Sequence, residues 1–203
     1  MINNQKHINL DNLFLKMTGF NLKDKIALFG LSDLSILPSL FEKLHKSSKL
    51  ALVSGNRRDY SSLNNYINEF GLKEKIISVY FDLDKISTWK ECQFDQIICL
   101  NIEMLRKDPI AILSIFLRLL KETKHLTIYI ENTDKNEIFL RRLLYQAGIG
   151  EIIGLLEKVG FSNKFYIKKF IDKDLKAISI RSIKPKTISY LSDNIFGQTK
   201  EGK

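Results

Sequence analysis

The chain has 203 residues, 44% of them hydrophobic and 27% charged, with a formal net charge of +9. That length holds one domain with a substantial core, and that apolar share excludes a disordered chain. No apolar run reaches the roughly 18 residues of a membrane span, and the polar start MINNQKHINLDNLF lacks the apolar core of a secretory signal.

In chain order, short apolar runs alternate with helical periods. KIALFG (25–30) is a compact run closed by glycine and reads as a buried strand. SILPSLFEKLHK (35–46) has helical spacing, with Ser35 or Asp33 as a cap. KLALVSG (49–55) is the second strand. A helix follows with Leu63, Tyr66, Ile67 and Phe70 on one face, Asp59 as its expected cap and Gly71 at its end. KIISVYF (75–81) and FDQIICLN (94–101) are the third and fourth strands. An apolar helix spans 110–122 after Pro109, and HLTIYIE (125–131) is the fifth strand. A short helix over 150–161 ends at Gly160, and the runs 164–170 and 175–183 form a closing hairpin. Strands alternating with helices imply right-handed crossovers and a parallel sheet covered on both faces. The expected architecture is therefore α/β: a three-layer sandwich whose mostly parallel seven-stranded sheet has an antiparallel strand near one edge. It divides into an N-terminal helical segment (1–20), the α/β domain (21–185) and a loose tail (186–203).

Cys92 and Cys99 are too few for a disulfide framework, so the chain reads as a reduced, cytoplasmic protein with Cys99 as a buried thiol. His7, His45 and His125 are scattered and form no ligand pair, so no metal is expected. The basic balance is compatible with nucleic acid, although the lysines are spread along the whole chain.

This order of parts resembles the class I (Rossmann-like) S-adenosylmethionine-dependent methyltransferases over roughly residues 20–185. KIALFGLSD is similar to the first strand and glycine loop, VYFDLDKI to the third strand with its acid, and QFDQIICLNIEML to the fourth strand and its exit. GEIIGLLEKVGF before KAISIRSIKP resembles the last helix and closing hairpin of that family. The resemblance implies S-adenosyl-L-methionine as cofactor, bound by Gly30, Ser32, Ser54, Asn56, Asp82 (or Asp84) and Asn101. It places Glu103 and Tyr145 on the acceptor side, the acceptor being a small molecule or an RNA, with segment 132–149 as a substrate lid. Two departures stand out. The later loop glycines fall on Ser32 and Leu34, and after the second strand Ser54, Gly55 and Asn56 replace the acid that usually meets the ribose. A charge-assisted hydrogen bond of that kind contributes roughly 1.5–3 kcal/mol. These departures keep a second expectation open, a catalytically silent methyltransferase-like domain that serves as a binding subunit.

Each candidate also has a plain structural role. Gly30 suits a simple strand-to-helix turn, Asp33 suits a helix cap, and Asp82 and Asp84 suit surface turns. Tyr80 and Trp89 suit packing as well as stacking on a base. Arg57, Arg58, Arg141 and Arg142 suit solvated helix faces as well as phosphates.

Overall fold

The structure is a computed structural model that describes residues 14, 16–19, 23–31, 37–38, 40, 49–100, 105, 108–131, 147–171 and 176–186. Its strands are β1 (Ile26–Phe29), β2 (Leu50–Ser54), β3 (Ile76–Tyr80), β4 (Phe94–Cys99), β5 (Leu120–Glu131), β6 (Tyr166–Ile171) and β7 (Lys176–Ile183). Its helices are α1 (Arg57–Glu69), α2 (Leu83–Ser87), α3 (Pro109–Leu119) and α4 (Ala147–Val159). The seven strands form one sheet in the order β3-β2-β1-β4-β5-β7-β6. β1 to β5 are parallel, and β7 runs antiparallel between β5 and β6.

The strand sequences explain this placement. IALF and LALVS are buried at every position, which only a central parallel strand covered on both faces requires. Alternate residues go to opposite faces. Ala27, Phe29, Val53, Ile97, Cys99 and Ile128 pack with Ile86 of α2, Phe116 of α3 and Leu156 of α4. Leu28, Leu52, Ile76, Ile98 and Tyr129 pack on the other face with Leu63 and Ile67 of α1, Leu37, Leu40 and Phe14. Each buried Leu, Ile, Val or Phe among them contributes about 1.5–3 kcal/mol. No helix among the described residues is long and apolar enough to cross a membrane.

Several boundaries differ from the sequence reading. The N-cap of α1 is Asn56, whose side chain accepts from the Asp59 amide, so Asp59 sits in the first turn instead of capping it. α3 ends at Leu119, three residues before the expected 122, because Leu120 already opens β5. α4 begins at Ala147, ahead of Gly150. α2 was not expected at all. Of the helix expected over 35–46, only residues 37, 38 and 40 are described, and the tail beyond 186 lies outside the described residues. Within the N-terminal segment, residues 14 and 16–18 are helical. They pack on the α1 side of the sheet, where Phe14 meets the Tyr129 ring edge-on at 5.5 Å.

Beneath that segment lies a buried polar cluster. The Thr18 carbonyl accepts from Gln96 Nε2 at 2.9 Å and from the Arg181 guanidinium. Gly19 follows with φ +61°, which favours glycine, and a Cβ there would displace the Arg181 guanidinium. Gln96 Oε1 and His125 Nδ1 are buried with no hydrogen-bond partner among the described residues. Burial, then the charges of Arg181 and Lys124, push the His125 imidazole below its ordinary value, against a weaker opposite pull from Asp24. The folded chain therefore refuses a proton that the unfolded chain accepts, and stability falls as pH drops below about 6.5. In urea titrations across pH 5 to 8, roughly the window where histidine charges, His125→Gln is expected to flatten this fall, and an unchanged slope would contradict the assignment.

Candidate functional site

The strand order places the crossover between β1 and β4. From β1 the chain leads to β2 and β3 on one side, and it returns to β4 and β5 on the other. In open sheets of this order, ligands bind at the carboxyl ends of the strands beside such a crossover.

The strand ends stand level. Gly30 N donates to Val53 O, Leu100 N to Phe29 O and Phe81 N to Ser54 O, each at 2.8 Å. Gly30 turns the chain out of β1 at φ +81°, a left-handed conformation that leaves a backbone without a side chain at the crevice floor. Leu31 then buries in the core with Leu37 and Leu40 instead of entering the crevice.

At the end of β2, Ser54 is 1% exposed, and its hydroxyl has no hydrogen-bond partner among the described residues. A buried hydroxyl left unmade costs about 1–3 kcal/mol. Strand alternation puts it on the face of Leu50 and Leu52, the side covered by α1. Its register partner is Tyr80, whose ring meets Tyr60 of α1 edge-on at 6.3 Å. Tyr60 was not singled out in the sequence. The signal was its place one turn into the helix that follows β2.

Asn56 and Asp82 both act as caps. Asn56 Oδ1 accepts from Asp59 N at 2.8 Å and its Nδ2 donates to Asp59 Oδ2 at 2.6 Å, so the amide caps the α1 N-terminus with one of its two N–H groups. Asp82 Oδ1 accepts from Asp84 N at 3.0 Å and Lys85 N at 3.5 Å, opening α2. Both bonds fall on one oxygen of a half-buried carboxylate at the end of β3. Phe81 beside it packs edge-on against Phe29 at 6.3 Å, which ties this strand end to β1.

The structure thus brings Gly30, Ser54, Asn56 and Asp82 to one edge of the sheet. Ser32, Asn101, Glu103, Tyr145, Arg141, Arg142 and the segment 132–146 lie outside the described residues. Trp89 is not at this edge. It packs on Phe94 at 5.9 Å, at the amino end of β4, with its carbonyl held by Arg118 Nη1 at 2.6 Å. Cys99 is fully buried, and no group of three His, Cys, Asp or Glu among the described residues is placed to hold a metal.

No protein-family model and no curated protein matches the chain. Solved structures do match. An S-adenosylmethionine-dependent methyltransferase from Aquifex aeolicus superposes with a TM-score of 0.65 at 16% identity, covering 90% of this chain and 99% of that one. Phosphoethanolamine N-methyltransferase 2 of Haemonchus contortus, solved with S-adenosyl-L-methionine, gives 0.65 at 10% identity, covering 88% of this chain and 53% of that one. The [4+2]-cyclase SpnF gives 0.64 at 11% identity, covering 87% and 80%. The fold is that of the class I methyltransferases, as the resemblance in sequence implied.

The two polar groups flanking Gly55 are expected to respond with opposite signs in urea unfolding. Asn56→Ala removes a cap and costs about 1 kcal/mol. Ser54→Ala removes an unsatisfied hydroxyl and leaves stability unchanged or higher; a loss as large as that of Asn56→Ala would show that Ser54 is bonded within the fold.

Proposed function

We propose that this chain is an S-adenosylmethionine-dependent methyltransferase whose cofactor lies across the carboxyl ends of β1 to β4. The observation that carries the reading is the buried Ser54 hydroxyl, which has no hydrogen-bond partner among the described residues, one strand from the left-handed Gly30 at the crossover. A ribose hydroxyl at the end of β2 would satisfy that group, and the bare backbone at Gly30 allows close approach.

The residues fit such a ligand in part. Ser54 would bond the ribose, more weakly than the usual carboxylate. The second oxygen of Asp82 would receive the adenine amino group while the first keeps its cap. Ser32 and Asn101 follow β1 and β4 in the chain and belong to the same set. Asn56 would join with the second N–H of its amide, beside its bonds to Asp59. Glu103 and Tyr145 belong to the acceptor side, with a small molecule or an RNA as acceptor.

When bound, the cofactor supplies an electrophilic methyl on a sulfonium. The task left to this chain is positioning: it holds the donor in line with the acceptor and keeps water out. That task needs no nucleophile and no metal.

The absent ribose acid favours a second reading, a catalytically silent methyltransferase-like domain that has lost the cofactor site and serves as a binding or scaffold subunit. The cyclase among the structural matches carries this fold, so fold alone does not decide the chemistry.

Calorimetry with S-adenosylmethionine and S-adenosylhomocysteine separates the two. Binding is expected, with about 2.7 kcal/mol of added stability at a hundredfold excess over Kd. Ser54→Ala should weaken it about five- to tenfold, the worth of one neutral hydrogen bond. Asp82→Asn keeps an oxygen for the α2 cap and is expected to weaken binding by a similar factor with little loss of stability. No heat and no stabilisation at millimolar ligand would leave the silent domain.

A further inference from the structure

At the opposite edge of the sheet, lysines line up. Ile26 pairs with Leu50, and Leu50 with Ile76, so the residues just before them, Lys25, Lys49 and Lys75, stand in register. Ile26 N donates to Lys49 O at 3.1 Å and Leu50 N to Lys75 O at 2.9 Å, which fixes that alignment. On the other side Ile26 pairs with Gln96, Gln96 with His125, and His125 with Ile183. Asp95, Lys124 and Lys184 therefore continue the row, and Lys184 N donates to Lys124 O at 2.9 Å. The order across the edge is Lys75, Lys49, Lys25, Asp95, Lys124, Lys184. With strands about 4.8 Å apart, the row runs about 24 Å.

The single acid in the row is already neutralised, since Lys121 at 2.9 Å and Lys124 at 3.5 Å pair with Asp95. Burial, then the charges of Lys49 and Lys121, lower the Lys25 ammonium, with Asp95 pulling the other way. These side chains are exposed or half-buried, with Lys184 Nζ also donating to Leu120 O at 2.9 Å, so their charges reach solvent at the edge. Like charges lined up this closely repel one another unless an anion lies along them.

We propose that this amino-terminal edge docks the phosphate backbone of a nucleic acid, with Lys75, Lys49, Lys25, Lys124 and Lys184 supplying the cations. A line of charge fits a linear polyanion, whose strand carries one phosphate per about 3.4 Å of rise. A membrane would instead ask for apolar side chains to insert beside the charges. The exposed large apolar residues Phe70, Ile77, Leu83, Tyr166 and Ile167 stand outside the row. The row lies at the strand ends remote from Gly30 and Ser54, so it is independent of the cofactor reading and is a docking surface, not an acceptor site.

The test is fluorescence anisotropy of the full chain with a labelled single-stranded RNA of about 20 nucleotides, from about 50 to 200 mM salt. Binding that weakens linearly in log–log terms is expected. Lys25→Gln/Lys49→Gln/Lys75→Gln should weaken it about tenfold or more and reduce the salt slope by about 2, with circular dichroism and Tm unchanged. Lys25 also sits over the Phe94 ring at 5.4 Å, so Lys49→Gln/Lys75→Gln, which spares that contact, should give an intermediate loss if the triple variant misfolds. The proposal is overturned if the unaltered chain does not bind, or if these variants bind as it does. It is equally overturned if Arg57→Gln/Arg58→Gln/Lys85→Gln at the crevice edge loses as much, or if the chain binds vesicles of phosphatidylserine and phosphatidylcholine but not the RNA.

Discussion

Two crossovers leave the centre of the sheet in opposite directions, and the gap they open beyond β1 and β4 is the constraint on which the site depends. A parallel pair cannot be joined by a tight turn, so each strand must be followed by a helix that returns along one face. β1 and β2 are followed by segments on the face of α1, while β3, β4 and β5 are followed by α2, α3 and α4 on the other face. At β1 and β4 neighbouring strands send their chains to opposite faces. Gly30, Ser54 and Asp82 stand at the carboxyl ends of β1, β2 and β3.

The same packing explains why the crevice is polar at its rim and apolar beneath. Phe29 lies between Phe81 at 6.3 Å and Phe116 at 4.5 Å, so the floor is held by three rings from β1, the end of β3 and α3. Leu31 adds to the core on the other face and keeps clear of the gap. Above this floor the caps of α1 and α2 turn toward the strand ends. A ligand there shares the Asn56 amide and the Asp82 carboxylate with cap bonds, while the Ser54 hydroxyl has no other partner among the described residues. That ordering makes Ser54 the informative residue even though a serine looks a weak substitute for an acid.

The strands were legible because burial on both faces leaves near-continuous apolar runs, as in IALF and IICL. What the sequence obscured is local ambiguity or long-range pairing. Asn56 and Asp59 are both good caps, and only the packing of Leu63 and Ile67 fixes which one opens α1. At five residues, α2 is too short to show a period, although Asp82 before Leu83–Ser87 was a cap signal. The early end of α3 comes from partners remote in sequence: Lys121 bonds Asp95, and the segment after it pairs with Lys184. In the candidate site, Gly30 and Asp82 were legible by position. The commitment of Asn56 to its cap and the isolation of the Ser54 hydroxyl depend on side-chain geometry that no spacing encodes. The lysine row needed register across six strands, and along the chain its members look merely scattered.

Hydrogen exchange with and without S-adenosylhomocysteine tests the central claim most directly, because it reports where a nucleoside ligand sits regardless of turnover. Added protection at Gly30–Leu31, Ser54–Asn56 and Phe81–Asp82, with none at the amino-terminal edge around Lys25, Lys49 and Lys75, is the outcome this account expects. Protection absent from those strand ends, or found only elsewhere in the chain, would contradict it.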